Sequence, residues 1–305
     1  MKILVTGIAG FIASKIANKL IKKGHDVVGI DDLSNGKKIN IPKKCKFIKL
    51  DISKKKELDK LQIKFDQIFH LAGQSSGEKS FENPEEDLCK NTLTTLNLIN
   101  FSIKTGVKKF LYASSQSVYG NVGNRAISEK NITQPLSCYG VSKLASENYL
   151  KVYKDYLNYI IFRINNVYGY GQDLKNLKQG MVSIYLAQAL KNKKIVVKGS
   201  LNRFRDFIHI DDVVDIWIKA AMDKDLKNIT LNLGTGKKTH VKKILNIINK
   251  ELGGIKIIKS KNTPGDQTGI YMNNSLLIKK LKKRYFININ EGLSKLIKNY
   301  KGYKK

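Results

Sequence analysis

KILVTGIAGFIASKIANKLIKKGHDVVGID, residues 2–31, reads as a strand, a turn, a helix and a second strand. KILVT (2–6) is an apolar run suited to a strand buried on both faces, and Phe11 to Lys23 repeats apolar residues at helical period. Between them Gly7 and Gly10 fall where a strand turns sharply into a helix, and Ala13 stands where only a small residue lets the helix pack on the sheet. VVGI (27–30) then starts a second strand. Two parallel strands joined by a crossover helix begin a doubly wound sheet. A lysine followed by apolar residues also resembles a secretory leader. The glycines at the strand-to-helix turn and the lack of a convincing cleavage site favour the folded reading.

The pattern continues along the first half. KFIKL (46–50), QIFHL (67–71), KKFLYAS (108–114) and YIIFRI (159–164) read as strands. Asn83 is placed to cap a helix running to Thr105, with Pro84 in its first turn, Glu85, Glu86 and Asp87 complementing its positive end, and Gly106 ending it. A further helix is expected from Cys138 to Tyr156. Such repeated units predict an α/β fold, a doubly wound parallel Rossmann sheet whose ligands sit beyond the carboxyl ends of the strands.

The second half is less regular. A helix over 180–192, strands KIVVK (194–198) and FIHI (207–210), a helix over 211–222, NLG (232–234) as a strand end, and helices over 240–251 and 294–300 are expected, with 279–284 a solvated helix end. These elements predict a smaller, mixed α/β substrate lobe towards the C-terminus. Residues 1–165 form the sheet domain, 206–235 return to it, and 166–205 with 236–305 make the lobe.

Composition narrows the chemistry. The 305 residues are 42% hydrophobic and evenly spread, enough for a sizeable core. No apolar run reaches the roughly 18–20 residues of a bilayer span, so no membrane insertion is expected. Cys45, Cys89 and Cys138 are widely spaced and fit a reducing cytoplasm; His25, His70, His209 and His240 are equally scattered, and no metal site is suggested. The net charge of +31 invites a nucleic-acid or anionic-membrane reading, yet only five of 56 basic residues are arginine, the side chain that best reads phosphate and base edges. Abundant Lys, Asn and Ile together fit a codon-composition bias acting on solvated faces, and no nucleic-acid partner is expected.

Three chemistry-bearing groups lie at strand ends. Gly7 and Gly10 let backbone N–H groups approach a pyrophosphate, and Asp31, 24 residues after Gly7 at the end of the second strand, suits the hydroxyls of an adenosine ribose. A 2′-phosphate would meet Asp31 and Asp32, so NAD is favoured over NADP. Tyr139 and Lys143 stand one helical turn apart on one face. A phenol with a pKa near ~10 becomes a base at neutrality only if its anion gains roughly 4 kcal/mol, and a nearby ammonium with a pyridinium ring can supply it. Ser115, at the end of the strand before, is placed to hydrogen-bond the oxygen whose proton Tyr139 removes.

With these residues in place the chain resembles the extended short-chain dehydrogenases/reductases, and among them the nucleotide-sugar 4-epimerases. TGIAGFIA (6–13), IDDLSNG (30–36), DI (51–52), HLAG (70–73), KNTLTTLNLI (90–99), SSQSVYG (114–120), YGVSK (139–143), RINNVYG (163–169), RDFIHIDDVV (205–214), NLGTG (232–236) and PGD (264–266) fall in family order. The resemblance implies that Phe11, Ile12, Asp31, Asn35, Asp51, Ile52, Leu71, Ala72, Gly73 and Asn91 line NAD. It implies that Asn166, Arg205 and Asp266 hold the diphosphate and ribose of a nucleotide-diphosphate sugar, and that the protein is a homodimer. Arg205 offers a fork for phosphate oxygens, and Asp266 can accept from ribose hydroxyls. Relatives that eliminate water carry an Asp-Glu pair after the active-site hydroxyl, whereas Gln116 and Ser117 follow Ser115 here. Ser75 stands where some epimerases have Lys, and Thr263 where Arg commonly precedes the PGD segment. The reading is NAD-dependent 4-epimerisation of a UDP-hexose or its N-acetyl form. A net reductase or dehydrogenase on the same sugars, a 4,6-dehydratase, and an idle Rossmann protein binding RNA or membrane are the alternatives.

Overall fold

The computed structural model describes residues 1–177, 180–260 and 269–302. Seven parallel strands form the main sheet: β1 (Lys2–Thr6), β2 (Asp26–Asp31), β3 (Lys46–Lys49), β4 (Gln67–His70), β5 (Lys109–Ser115), β6 (Tyr159–Ile164) and β7 (Ile229–Leu233). Their order is β7-β6-β5-β4-β1-β2-β3. The chain runs outward from β1 through β2 to β3, then returns to place β4 on the other side of β1. That reversal opens a crevice at the carboxyl ends of β1 and β4.

Alternation along the strands divides the core in two. Ile3 and Val5 face helices α1 (Phe11–Lys22) and Ile210–Met222, whose Trp217 lies 4.8 Å from the ring of Phe162. Leu4, Ile68, Phe110 and Ile161 face the opposite way, against Leu98, Ile99 and Phe101 of α2 (Thr94–Thr105) and Leu150 of α3 (Cys138–Val152). Nearly all of these side chains are buried completely, and at about 1.5–3 kcal/mol per fully buried apolar side chain they dominate stability.

Several expected elements differ in extent. The helix expected over 83–105 is three pieces, Pro84–Leu88, a π turn Cys89–Leu93, and α2. The Asn91 carbonyl accepts from the hydroxyls of Thr94, Thr95 and Ser146, which draws the backbone out of α register. Helix α3 stops at Val152 rather than Tyr156, the strand ending in NLG is longer at Ile229–Leu233, and the last helix is Ile289–Gly302. Short helices Lys55–Asp59 and Gly77–Glu82 had no periodic signal. Lys283, expected at a solvated helix end, reaches the buried Asp212 carboxylate at 2.7 Å.

A second cluster of core residues lies outside the sheet. Helices Met181–Asn192 and Val241–Leu252, the parallel strand pair Lys194–Lys198 with Lys256–Ser260, and the face of Ile289–Gly302 bearing Leu293, Leu296 and Ile297 pack around Tyr168 and Phe207. Among the described residues no helix is long and apolar enough to cross a membrane.

Candidate active site

The crevice is a cleft of about 480 Å³ along the carboxyl ends of the sheet. At one end the β1–α1 turn supplies its floor. Gly7 has φ +71°, and a Cβ there would press on the backbone of Ala72 at 2.8 Å, so only glycine lets β1 and β4 end this close together. Gly10 caps α1 with no side-chain hydrogen bond, and no acidic residue occupies the first turn. The helix N-terminus is therefore left to an external anion, and Phe11 and Ile12 border it.

Asp31 is fixed beside this turn: Ala9 N donates to its Oδ2 at 3.0 Å and Leu33 N to its Oδ1 at 2.8 Å. Burial raises its carboxyl from the ordinary value, and those backbone donors oppose the rise. Each oxygen keeps a lone pair for a ribose hydroxyl. Asp32 and Asp51 share a cation that the sequence reading missed: Lys90 Nζ lies 2.6 Å from Asp32 and 3.1 Å from Asp51. Although burial acts against them, hydrogen bonds from Lys90 and from Ser34 or Ser53 hold both carboxyls below their ordinary value. Asn35, Ile52, Leu71, Ala72 and Gly73 complete the walls.

At the other end Ser115, Tyr139 and Lys143 converge. Ser137 caps α3 by accepting from Gly140 N, which sets Tyr139 in the first turn and Lys143 one turn on. Ser115 ends β5, accepts from Ser117 N at 3.2 Å and hydrogen-bonds Tyr139. Lys143 Nζ lies 5.8 Å from the Tyr139 ring centre and 5.1 Å from that of Tyr112, and donates to Ala113 O at 3.0 Å.

Burial pushes the Tyr139 phenol up to about 12, against the Ser115 hydrogen bond, and pulls the Lys143 ammonium down to about 8. The sequence reading asked for an ammonium and a pyridinium ring together, and the burial of both groups shows why the ammonium by itself does not suffice. Desolvation outweighs it, and a further positive charge is needed.

Most predicted site residues stand on the cleft wall, Asn166 among them. The buried Oδ1 of Asn166 and Oε1 of Gln116 have no hydrogen-bond partner among the described residues, and both residues line the cleft. Asn91 is not on the wall: it is buried beneath Gly73, which has φ +149° and whose missing Cβ would collide with Asn91 Oδ1. Arg205 is also off the wall, in a two-residue strand with His240 and Thr239 opposite, where burial and Arg203 lower it to about 10. Its neighbour Asp206 faces elsewhere, accepting from Thr235, Gly236 and Met272. Asp266, with Lys261 and Thr263, lies outside the described residues.

The β5 end is anchored from below. Glu147, wholly buried on α3, accepts from Ser114 Oγ at 2.6 Å and from Arg163 Nε and Nη2 at 2.9 and 2.7 Å. Arg163 also stacks 4.7 Å over the Tyr119 ring.

The floor fits a dinucleotide: an uncapped helix N-terminus for its pyrophosphate and a fixed carboxylate for its ribose. Comparison with known proteins agrees. The model of the NAD dependent epimerase/dehydratase family matches residues 3–234. The chain belongs to that family. A UDP-glucose 4-epimerase from Mycolicibacterium smegmatis is 34% identical over 263 residues, 83% of each chain. Among solved structures, UDP-glucose 4-epimerase with UDP-glucose from Thermotoga maritima matches with a TM-score of 0.95 and 32% identity over 100% of both chains. Thermus thermophilus UDP-glucose 4-epimerase in complex with NAD matches with a TM-score of 0.92 and 30% identity over 99% of both.

Proposed function

We propose that the protein is an NAD-dependent 4-epimerase of a UDP-linked hexose. The observation that carries this reading is the convergence of Ser115, Tyr139 and Lys143 at the end of a cleft whose opposite end is the uncapped Gly7–Ile12 turn beside Asp31. When bound, NAD would accept hydride from carbon 4 of the sugar and return it to the opposite face. Tyr139, as phenolate, takes the proton of the 4-hydroxyl and gives it back to the 4-keto oxygen. Ser115 donates a hydrogen bond to that oxygen, and Lys143 stabilises the phenolate and holds the nicotinamide ribose. Asn166 on the cleft wall binds the diphosphate and ribose of the substrate, the role that the family resemblance also gives to Arg205 and Asp266, while the remaining predicted cofactor residues line the dinucleotide, Asn91 from beneath Gly73.

Ser115 is followed by Gln116 and Ser117, which supply no carboxylate for eliminating water, so epimerisation is favoured over dehydration. Residues 1–165 with 206–235 act as the cofactor domain, and 166–205 with 236–305 as the substrate lobe. A cytoplasmic homodimer completes the reading. Leu88, Leu93, Val141, Tyr149 and Val152 are exposed apolar side chains along the kinked helix and α3, a surface suited to pairing two copies.

Purified protein given UDP-glucose without added cofactor should form UDP-galactose and release close to one NAD per chain on denaturation. A requirement for added NAD(P)H, with a net oxidised or reduced sugar, would establish the reductase reading in its place.

A further inference from the structure

Asp87 lies in the helix Pro84–Leu88 and is buried completely. Its Oδ1 accepts from Gln74 Nε2 at 2.7 Å and Asn91 Nδ2 at 3.0 Å, and its Oδ2 from Ser142 Oγ at 2.6 Å. Three donors from three elements suit an ionised carboxylate, yet none of the three carries charge. A buried carboxylate held only by neutral donors keeps most of its field, and in a dry interior that field reaches the next layer of side chains.

The next layer is the Lys143 ammonium. Ser142 directly precedes Lys143 on α3, and Asn91, which donates to Asp87, places its Oδ1 beside Gly73 as Lys143 places its Nζ. Four titratable groups surround Nζ from the elements packed against it: Tyr112 from β5, Tyr139 from its own helix, His70 from β4 and Asp87. Burial keeps Tyr112 protonated and His70 neutral. Glu147, one turn further along α3, is tied to Arg163 and Ser114. Asp87 is thus the anion that opposes the loss of charge burial imposes on Lys143.

We propose that Asp87 is the fixed counter-charge of Lys143, a positioning residue that keeps the ammonium charged and facing the nicotinamide end of the cleft through the cradle of Gln74, Asn91 and Ser142. This rests on the assignment of Tyr139 and Lys143 made above. Without Asp87, Lys143 would give up its proton at lower pH, and the phenolate would lose its partner on the alkaline side of the rate profile.

The test is the pH dependence of kcat for UDP-glucose epimerisation, from pH 6 to 10, with NAD-loaded parent, Asp87→Asn, Ser142→Ala and Tyr139→Phe. Asp87→Asn keeps the shape and removes the charge. Its alkaline limb should move down by about one pH unit, the low end for loss of a nearby opposite charge, so that turnover there falls about tenfold relative to parent. Ser142→Ala removes one donor and keeps the carboxylate, and its limb should stay in place. An Asp87→Asn profile lowered evenly with unmoved limbs, or equal shifts in both variants, overturns the proposal. Should Asp87→Asn fail to give folded holoenzyme, Asp87→Ser provides the same reading. Turnover by Tyr139→Phe would refute the underlying assignment; an inactive Tyr139→Phe beside an unmoved Asp87→Asn limb would refute this inference alone.

Discussion

Replacing Arg163 with methionine should destabilise the protein by about 3 kcal/mol. The change removes all three guanidinium hydrogen bonds from Glu147, whose carboxylate is wholly buried, and leaves it Ser114 Oγ and the partly exposed Lys151 Nζ at 3.3 Å. Stranding one partner of a buried pair costs about 3–5 kcal/mol, and Lys151 holds the figure to the lower end. With an unfolding entropy of about 2.1 cal/mol/K per residue over 305 residues, a loss of 3 kcal/mol lowers the midpoint by ~5 °C. Urea and thermal unfolding can be followed by fluorescence of Trp217, the single tryptophan, which is buried against Phe69 and Phe162. Adding Glu147→Gln to Arg163→Met removes the stranded charge and should recover about half of the loss. A cost below about 1 kcal/mol for Arg163→Met, or a double variant no better than the single one, would mean that Glu147 does not depend on Arg163.

Two further outcomes follow from the cleft. Lys90→Met leaves Asp32 and Asp51 to repel each other and an anionic dinucleotide. Because the bridge is about a quarter exposed it should weaken NAD binding only about two- to five-fold, read by fluorescence titration, and an unchanged Kd would contradict its role. Gly73→Ala forces a side chain into positive φ, against Asn91 Oδ1 and 3.4 Å from Lys143 Nζ. Turnover should drop about 100-fold with the circular dichroism spectrum retained, and near-parental activity would show that the Lys143 position tolerates displacement.

What could be read from the sequence was whatever depends on local spacing. The Gly7–Gly10 turn, Asp31 at the end of β2, and Tyr139 with Lys143 on one helical face each follow from geometry within a few residues or one crossover, and they meet in one cleft. Asp87 was read as a carboxylate complementing a helix N-terminus, because its burial depends on Ser142, 55 positions away. Lys90 carried no signal in so basic a chain until β2 and the loop after β3 brought Asp32 and Asp51 to it. The π turn is equally invisible in CKNTL, since one of the hydroxyls that draws it out, Ser146, belongs to another helix. Spacing placed Tyr139 near Lys143, yet it could not reveal how deeply the phenol is desolvated.

That desolvation sets the most direct test. From about 12 in the chain without cofactor, the Tyr139 phenol must fall by about five pH units to act as a base near neutrality, an additional ~7 kcal/mol in favour of its anion. The measurement is the ultraviolet absorbance of phenolate during a pH titration, parent minus Tyr139→Phe, with and without bound NAD. One phenolate should appear between about pH 6 and 8 in the NAD-loaded protein and none below about pH 10 in the NAD-free protein. Difference spectra that stay flat to pH 9 with NAD bound, in an enzyme that still turns over, would contradict Tyr139 as the base.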